Sequence, residues 1–258
     1  MNQPASPLGN GTSADSSRCL AVIPARGGSK RIPKKNTREL SGTPLIAYTI
    51  AAALESGLFD RIIVTTDDEV TAKIAAESGA EVPFLRDATL ADDHTPVSAA
   101  TVDALRRCDP TSDRYEFVCQ LMANCPLRTG RDIQSSFAQL LQTGAEAQIS
   151  VVRYGWQNPW WAMERNEDLS LQPVFEDRLM QRSQDLPPLF CPTGAIWWAR
   201  ADTLRREETF HIAKRTGWEI PWKRGIDIDD EDDWAMVELL ARMNRDDLHG
   251  SGVADGHD

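Results

Sequence analysis

Apolar positions recur along this chain in two alternating rhythms. Cys19–Pro24 is an unbroken apolar run that stops at Gly27 and Gly28, which predicts a buried strand. From Pro44 to Ser56 the apolar positions Leu45, Ile46, Thr49, Ile50, Ala53 and Leu54 fall at helical spacing, and Gly57 follows as a stop. Arg61–Asp67 predicts a second strand, Asp68–Glu77 a short helix closed by Gly79, and Glu81–Leu85 a third strand. Thr95 and Pro96 read as the N-cap and first residue of a helix reaching Arg107. Phe117–Met122 predicts a fourth strand, Asp132–Leu141 a helix and Ala147–Val152 a fifth strand.

Strand and helix thus alternate from Cys19 to Val152, with no internal repeat. That order predicts an α/β fold, a mostly parallel sheet with helices on both faces. The texture changes after Arg153. Gly155–Trp161 opens a stretch rich in Trp and Pro, without clear periodicity, which runs to about Pro192. Ala195–Ala199 returns to strand character, Gly225–Asp229 predicts a short strand, and Asp230 caps a helix to about Arg242 with Trp234, Val237, Leu240 and Ala241 on one face. The expected organisation is a polar tail over 1–18, one domain over 19–245 carrying an insertion near 154–192, and a frayed tail over 246–258. The first tail is rich in Ser, Gly, Pro and Asn and lacks the apolar stretch of a secretion signal.

Composition narrows the function classes. No run approaches the roughly 20 apolar residues of a membrane span. The formal charge of -11 over 258 residues argues against general binding to nucleic acid or to an anionic membrane. The cysteines, Cys19, Cys108, Cys119, Cys125 and Cys191, are odd in number, form no CxxC pair and have no His at zinc spacing. Reduced thiols in a cytoplasmic protein are expected.

Against this acidic background one segment stands out. Arg26, Lys30, Arg31, Lys34, Lys35 and Arg38 follow the first strand, and no acid occurs between Cys19 and Arg38. A polyphosphate needs close backbone N–H donors and neutralising cations. Gly27 and Gly28 permit a tight turn and close approach, Ser29 adds a hydroxyl, Arg26 offers a fork, and Lys30 and Lys35 offer point charges. In open α/β sheets ligands sit beyond the carboxyl ends of the strands, which is where this loop falls. It is neither GxGxxG nor the GxxxxGK[ST] loop, because Ser29 separates Gly28 from Lys30. A solvated basic loop is the competing reading.

Asp227 and Asp229 lie two apart on the expected strand, so both carboxylates would share a face while Ile226 and Ile228 take the other. Such a pair suits Mg²⁺, which takes one or two carboxylates, water and phosphate oxygens. The competing reading is N-terminal charge for the helix that follows.

Six segments, in order, carry a family resemblance: Ala25-Arg-Gly-Gly-Ser-Lys-Arg-Ile-Pro-Lys-Lys-Asn36, Phe84-Leu-Arg86, Cys125-Pro-Leu-Arg-Thr129, Arg182-Ser-Gln-Asp-Leu-Pro187, Pro192-Thr-Gly-Ala-Ile196 and Asp227-Ile-Asp229. Over roughly residues 19–243 the chain resembles the CMP-sialic acid synthetases, cytidylyltransferases for nine-carbon 2-keto sugar acids. The resemblance implies a Rossmann-like nucleotidyltransferase sheet, a homodimer formed through the insertion, and a Mg²⁺-dependent attack of the sugar's anomeric hydroxyl on the α-phosphorus of CTP. It implies that Arg26, Gly27, Gly28, Ser29, Lys30 and Lys35 cradle the triphosphate, with Arg26 and Lys35 assisting catalysis. Asn36 would contact the nucleotide near the α-phosphate and ribose, and Arg86 would read cytosine. Asp227 and Asp229 would hold metal, with Asp229 also a candidate base. Arg182 is the candidate for the sugar carboxylate and Gln184 for its hydroxyls or amide.

Two positions depart from the sialic acid pattern. Met122 stands where many of these enzymes have a sugar-facing Gln, and Thr193 where they have Asn. Leu90-Ala-Asp-Asp-His-Thr95 resembles the pseudaminic and legionaminic acid branch, so a modified or deoxygenated nonulosonate is the expected acceptor. The rivals are a cytidylyltransferase for an eight-carbon acid of the 3-deoxy-manno-octulosonate type and a non-catalytic nucleotide-binding subunit of the same fold. Trp156, Trp160 and Trp161 are expected in packing or a subunit interface, Trp234 in the core, and His94 in loop structure.

Overall fold

The computed structural model describes residues 18–90 and 95–250, with side chains as far as residue 243. Residues 1–17 of the expected tail over 1–18, the end of the chain over 251–258, and His94 with most of the Leu90–Thr95 segment lie outside the described residues. Among the described residues ten strands and six helices follow in order: β1 (Cys19–Pro24), β2 (Glu39–Leu40), β3 (Thr43–Pro44), α1 (Leu45–Ser56), β4 (Arg61–Thr65), α2 (Glu69–Glu77), α3 (Val97–Cys108) and β5 (Phe117–Gln120). Then come α4 (Gly130–Thr143), β6 (Ala147–Arg153), β7 (Met163–Arg165), β8 (Leu171–Pro173), β9 (Phe190–Arg200), α5 (Ala201–Glu207), β10 (Arg215–Glu219) and α6 (Glu231–Gly250).

The main sheet runs β10-β6-β9-β5-β1-β4. Its neighbours pair in parallel except at β9, which is antiparallel to both β5 and β6. Alternation along β1 shows why both faces must be covered. Cys19, Ala21 and Ile23 enter one core with α1 and α4, whereas Leu20 and Val22 enter the other with α3 and α5. A third cluster lies beyond the strand ends, where Ile32, wholly buried, packs with Leu40, Leu45, Ile228, Trp234 and Val237. Ile32 therefore pins the middle of the basic loop between α1 and α6.

Local rules account for the helix ends. Gly57 closes α1 in the left-handed conformation with φ 63°. The Asp68 carboxylate caps α2 through the Thr71 N–H at 2.8 Å. Thr129 and Asp132 form a reciprocal capping box on α4, which therefore begins two residues before the expected Asp132. Pro96 is the N-cap of α3, one residue later than expected, while the Thr95 hydroxyl bonds the Thr89 carbonyl at 3.3 Å.

Several expectations need correction. Glu81–Leu85 forms only isolated parallel bridges, Ile63 to Glu81 and Thr66 to Leu85, because Pro83 between them has no N–H for a ladder. Gly225–Asp229 is irregular and is tied to its neighbour by the Ile228 N–H to the Asn124 carbonyl at 2.9 Å, for that neighbour is a turn and not a strand. β9 begins five residues before the expected Ala195. Pro192 and Gly194 look like breakers, but Pro192 sits beside a register irregularity in β6, a place where a strand tolerates a missing donor. The edge strand β10 alternates exposed and half-buried positions, but its inner side holds only Thr216 and Trp218, too few for a sequence signal.

The expected domain end at 245 is passed by α6, which continues to Gly250 because no Gly or Pro intervenes. The insertion holds the β7–β8 hairpin and short 3₁₀ turns at 159–161, 176–178 and 183–185. Strands of three residues are too short to show a period. Trp234 is in the core as expected. No helix among the described residues is long and apolar enough to cross a membrane.

Candidate functional site

The carboxyl ends of β1 and β5 open onto a cleft of about 480 Å³. Arg26, Ser29, Lys30, Arg31, Lys35 and Asn36 form one wall, Met122, Ala123 and Asn124 another, and Arg86, Leu90, Thr95, Val97 and Ala100 a third, with Asp229 at the rim of the basic wall. Of the six cations in the loop, four therefore face the cleft. Lys34 lines a smaller neighbouring hollow. Arg38 grips Glu231 at 2.7 and 2.9 Å and lies over the Trp234 ring at 4.1 Å, which fastens the loop to α6.

The loop is held from within. The Asn36 amide donates to the Arg26 carbonyl at 2.9 Å, and the Asn36 carbonyl accepts from the Ile46 N–H at 3.0 Å, at the first turn of α1. Lys35 reaches across to donate to the Ile228 carbonyl at 2.6 Å and lies 3.5 Å from the Asp229 carboxylate. Gly27 is engaged by the end of β4. Its N–H donates to the Asp67 carboxylate at 2.9 Å, and a Cβ there would stand 2.6 Å from Asp68 Cβ. Gly27 thus allows the close approach of the loop to the end of β4, whereas Gly28 has open space around it.

Asp67 is a residue the sequence reasoning passed over. It accepts from Gly27 and lies 3.7 Å from the Arg86 guanidinium, so it joins the phosphate-type loop to the buried Arg86. The signal was its place at the polar end of a strand. Arg86 is almost enclosed, its Nε has no partner among the described residues, and burial lowers its pKa. Asn124 was also missed. Its amide donates to the Ile228 carbonyl at 3.2 Å, and its own carbonyl receives the Ile228 N–H, which fixes the segment carrying Asp227 and Asp229.

The two acids occupy different settings. The Asp230 carboxylate accepts from the N–H groups of Asp232 and Asp233, each at 3.0 Å, and the Asp233 carboxylate accepts from those of Asp229 and Asp230. Capping of α6 is therefore done by Asp230 and Asp233, and the Asp229 side chain points to Arg31 at 3.2 Å and Lys35. Asp227 is deeper, accepting from the Gly194 N–H at 3.1 and 3.2 Å and from the Cys125 thiol at 2.5 Å. Burial raises the Asp227 pKa, against the lowering effect of those hydrogen bonds, and pushes the Cys125 thiol up further. Among the described residues no group of three or more His, Cys, Asp or Glu could enclose a metal. Two carboxylates beside a basic loop fit a hard cation that draws its other ligands from water and phosphate.

Beneath them Arg128, only 3% exposed, donates to the Met122 carbonyl, and its Nε and Nη1 have no partner among the described residues. Met122 faces the cleft, and a Cβ on Gly194 would lie 2.6 Å from its Cγ, so Gly194 makes room for it. Three expected sugar-site residues are not brought to the cleft wall. Arg182 is exposed and forks onto Asp185 at 2.7 and 3.2 Å, and Gln184 is exposed on the same turn. Thr193 is buried, with its hydroxyl 3.1 Å from that of Ser150, because alternation along β9 turns it inward.

Residues 20–179 match the family model described as Cytidylyltransferase. Pseudaminic acid cytidylyltransferase of Campylobacter jejuni is 31% identical over 229 residues, 88% of this chain and 97% of its own length. CMP-N,N'-diacetyllegionaminic acid synthase of Legionella pneumophila is 32% identical over 233 residues, 90% of this chain and 99% of its own. N-acylneuraminate cytidylyltransferase A of Danio rerio is 30% identical over 89% of this chain but only 53% of its own length. Among solved structures, a CMP:2-keto-3-deoxy-manno-octonic acid synthetase complexed with CTP superimposes with a TM-score of 0.66 at 17% identity, covering 88% of this chain and all of that one. At that identity the likeness speaks for the fold.

Proposed function

The chain belongs to the cytidylyltransferase family, and we propose that it transfers CMP from CTP to the anomeric hydroxyl of a nine-carbon 2-keto sugar acid, with release of pyrophosphate. The observation that carries this reading is the convergence of Arg26, Lys30, Arg31 and Lys35 with Asp229 in one cleft at the strand ends. In the transfer, the sugar oxygen forms a bond to the α-phosphorus, the bond from that phosphorus to the bridging oxygen of pyrophosphate breaks, and the hydroxyl proton leaves to a base or to water. Such a displacement asks for positioning and charge stabilisation more than for covalent help.

Arg26, Ser29 and Lys30 bind the triphosphate, Lys35 stabilises charge growing on the α-phosphate, and Asn36 holds the inner end of the loop. Arg86, in its enclosed place beside Asp67, reads the base. A Mg²⁺ ion held by Asp227 and Asp229 would neutralise the phosphate oxygens. Met122 supplies an apolar contact where a sugar hydroxyl would otherwise need a donor, which suits a deoxygenated or modified nonulosonate. In this reading Arg182 and Gln184 reach a sugar only if the insertion borders the site through a partner subunit or by closing over the cleft.

The test is pyrophosphate release from CTP, UTP and GTP with pseudaminic, legionaminic, N-acetylneuraminic and octulosonic acids, with and without Mg²⁺. We expect turnover with CTP and Mg²⁺ alone, fastest with pseudaminic or legionaminic acid. Fastest turnover with N-acetylneuraminate would overturn the acceptor assignment, and no turnover with any pair would overturn the enzyme.

A homodimer joined through the insertion belongs to the same proposal. Trp156 is 87% exposed and Met180 91%, with Leu169 and Leu171 also exposed, whereas Trp160 and Trp161 pack within the insertion through bonds to the Pro187 and Gln181 carbonyls. These exposed apolar side chains would supply the contact surface. Sedimentation should give a dimer for the parent and a monomer for the Trp156→Ser, Met180→Ser double variant; a parent that sediments as a monomer ends this part of the proposal. Free thiols, four of them buried, suit a reducing cytoplasm.

A further inference from the structure

We propose that Arg31 guards Asp229 in the free protein and moves from that carboxylate onto the triphosphate when nucleotide and cation bind. The inference rests on the cytidylyltransferase reading of the cleft and adds to it a residue and an order of events. Both oxygens of Asp229 are held by cations, Oδ2 by Arg31 Nη2 at 3.2 Å and Oδ1 by Lys35 Nζ at 3.5 Å. Asp227 is engaged on both oxygens by the Gly194 N–H and on one by the Cys125 thiol. In this state a divalent cation arriving alone meets occupied oxygens and the positive charge of a guanidinium.

The two guards differ. The Lys35 side chain is 15% exposed and anchored by its 2.6 Å bond to the Ile228 carbonyl, so it stays in place. The Arg31 side chain is 65% exposed and faces the same cleft as Arg26, Ser29 and Lys30. An exposed ion pair is weak and easily exchanged. A guanidinium fork binds phosphate oxygens better than a single carboxylate oxygen in water. The backbone of Asp229 is fixed by the Asp233 carboxylate, so the change falls to the Arg31 side chain. With Arg31 on phosphate, Oδ2 is released to the cation. Cation and nucleotide then favour each other's binding, and the coupling runs in both directions.

The test uses the whole protein with Arg31→Gln and Arg31→Lys. Binding of Mn²⁺ without nucleotide is followed by electron paramagnetic resonance, binding of CTP in EDTA by calorimetry, and folding by thermal melting. For Arg31→Gln we expect Mn²⁺ affinity to rise about threefold or more, since removal of the guard frees the carboxylate, and CTP affinity in EDTA to fall about tenfold. Arg31→Lys should fall between the parent and Arg31→Gln in both. General damage to the site would weaken Mn²⁺ binding, so the rise is diagnostic. An unchanged or weakened Mn²⁺ affinity overturns the guard, and a raised Mn²⁺ affinity with unchanged CTP affinity overturns the transfer to phosphate. If the parent itself binds no CTP, the cytidylyltransferase reading fails, while the Mn²⁺ measurement still judges the Arg31–Asp229 guard.

Discussion

Asp229→Ala should lower kcat for CMP transfer by about a hundredfold or more, the scale of losing a group that stabilises transition-state charge. The carboxylate lines the cleft, and its backbone is fixed independently through Asp233, so truncation removes the ligand without loosening the segment. Its side chain, paired with Arg31 and Lys35, is about half exposed. Losing them should cost at most about 1 kcal/mol of stability. Lys35 keeps its bond to the Ile228 carbonyl, so the loop keeps its shape. The melting temperature should therefore stay within a few degrees while turnover collapses. Steady-state pyrophosphate release and thermal melting check this together. Activity within threefold of the parent would remove Asp229 from the reacting centre.

The second large effect is expected at Lys35. Its ammonium is far more enclosed than the Arg31 guanidinium that shares Asp229, and it joins the loop to the Ile228–Asp229 segment. Lys35→Ala removes a charge that would meet the α-phosphate and also unties that link. We expect kcat to fall by about 10²–10³, with the CTP KM changed by only a few fold, because the charge matters most as the bond to pyrophosphate breaks. Lys35→Arg should restore little, since a planar fork cannot occupy the place of a point charge already aimed at the Ile228 carbonyl. A rise in KM with kcat untouched would make Lys35 a ground-state binder and nothing more. Stability should fall by about 1 kcal/mol for the lost hydrogen bond, the Ile228 carbonyl still receiving the Asn124 amide.

The parts of the molecule governed by neighbours in sequence were legible. β1 and its Gly-rich end, the Gly57 stop of α1, the Asp68 cap of α2 and the Asp230 cap of α6 all follow from residues within one turn of one another. The cations of the cleft were legible as well, because a run of them directly after a strand stands out in an acidic chain. Where the reading went astray, a distant partner decided. Pro83 mattered because β4 lay beside it. Pro192 was tolerated because β6 slips register there. Thr193 turned inward to Ser150 on the neighbouring strand.

By itself, then, the order of residues determined that strand and helix alternate, that a basic loop follows the first strand, and that two acids some 190 residues later could serve it. It could do so because periodicity, caps and charge act over a few residues. The tertiary structure alone decided which cations face the cleft and which clamp α6, and that Asp230 and Asp233 take the capping work and leave Asp229 to Arg31 and Lys35. It alone decided that Asp67 ties Gly27 to Arg86. Those choices depend on side chains far apart in sequence competing for the same few hydrogen-bonding positions, and only packing settles which of them arrives.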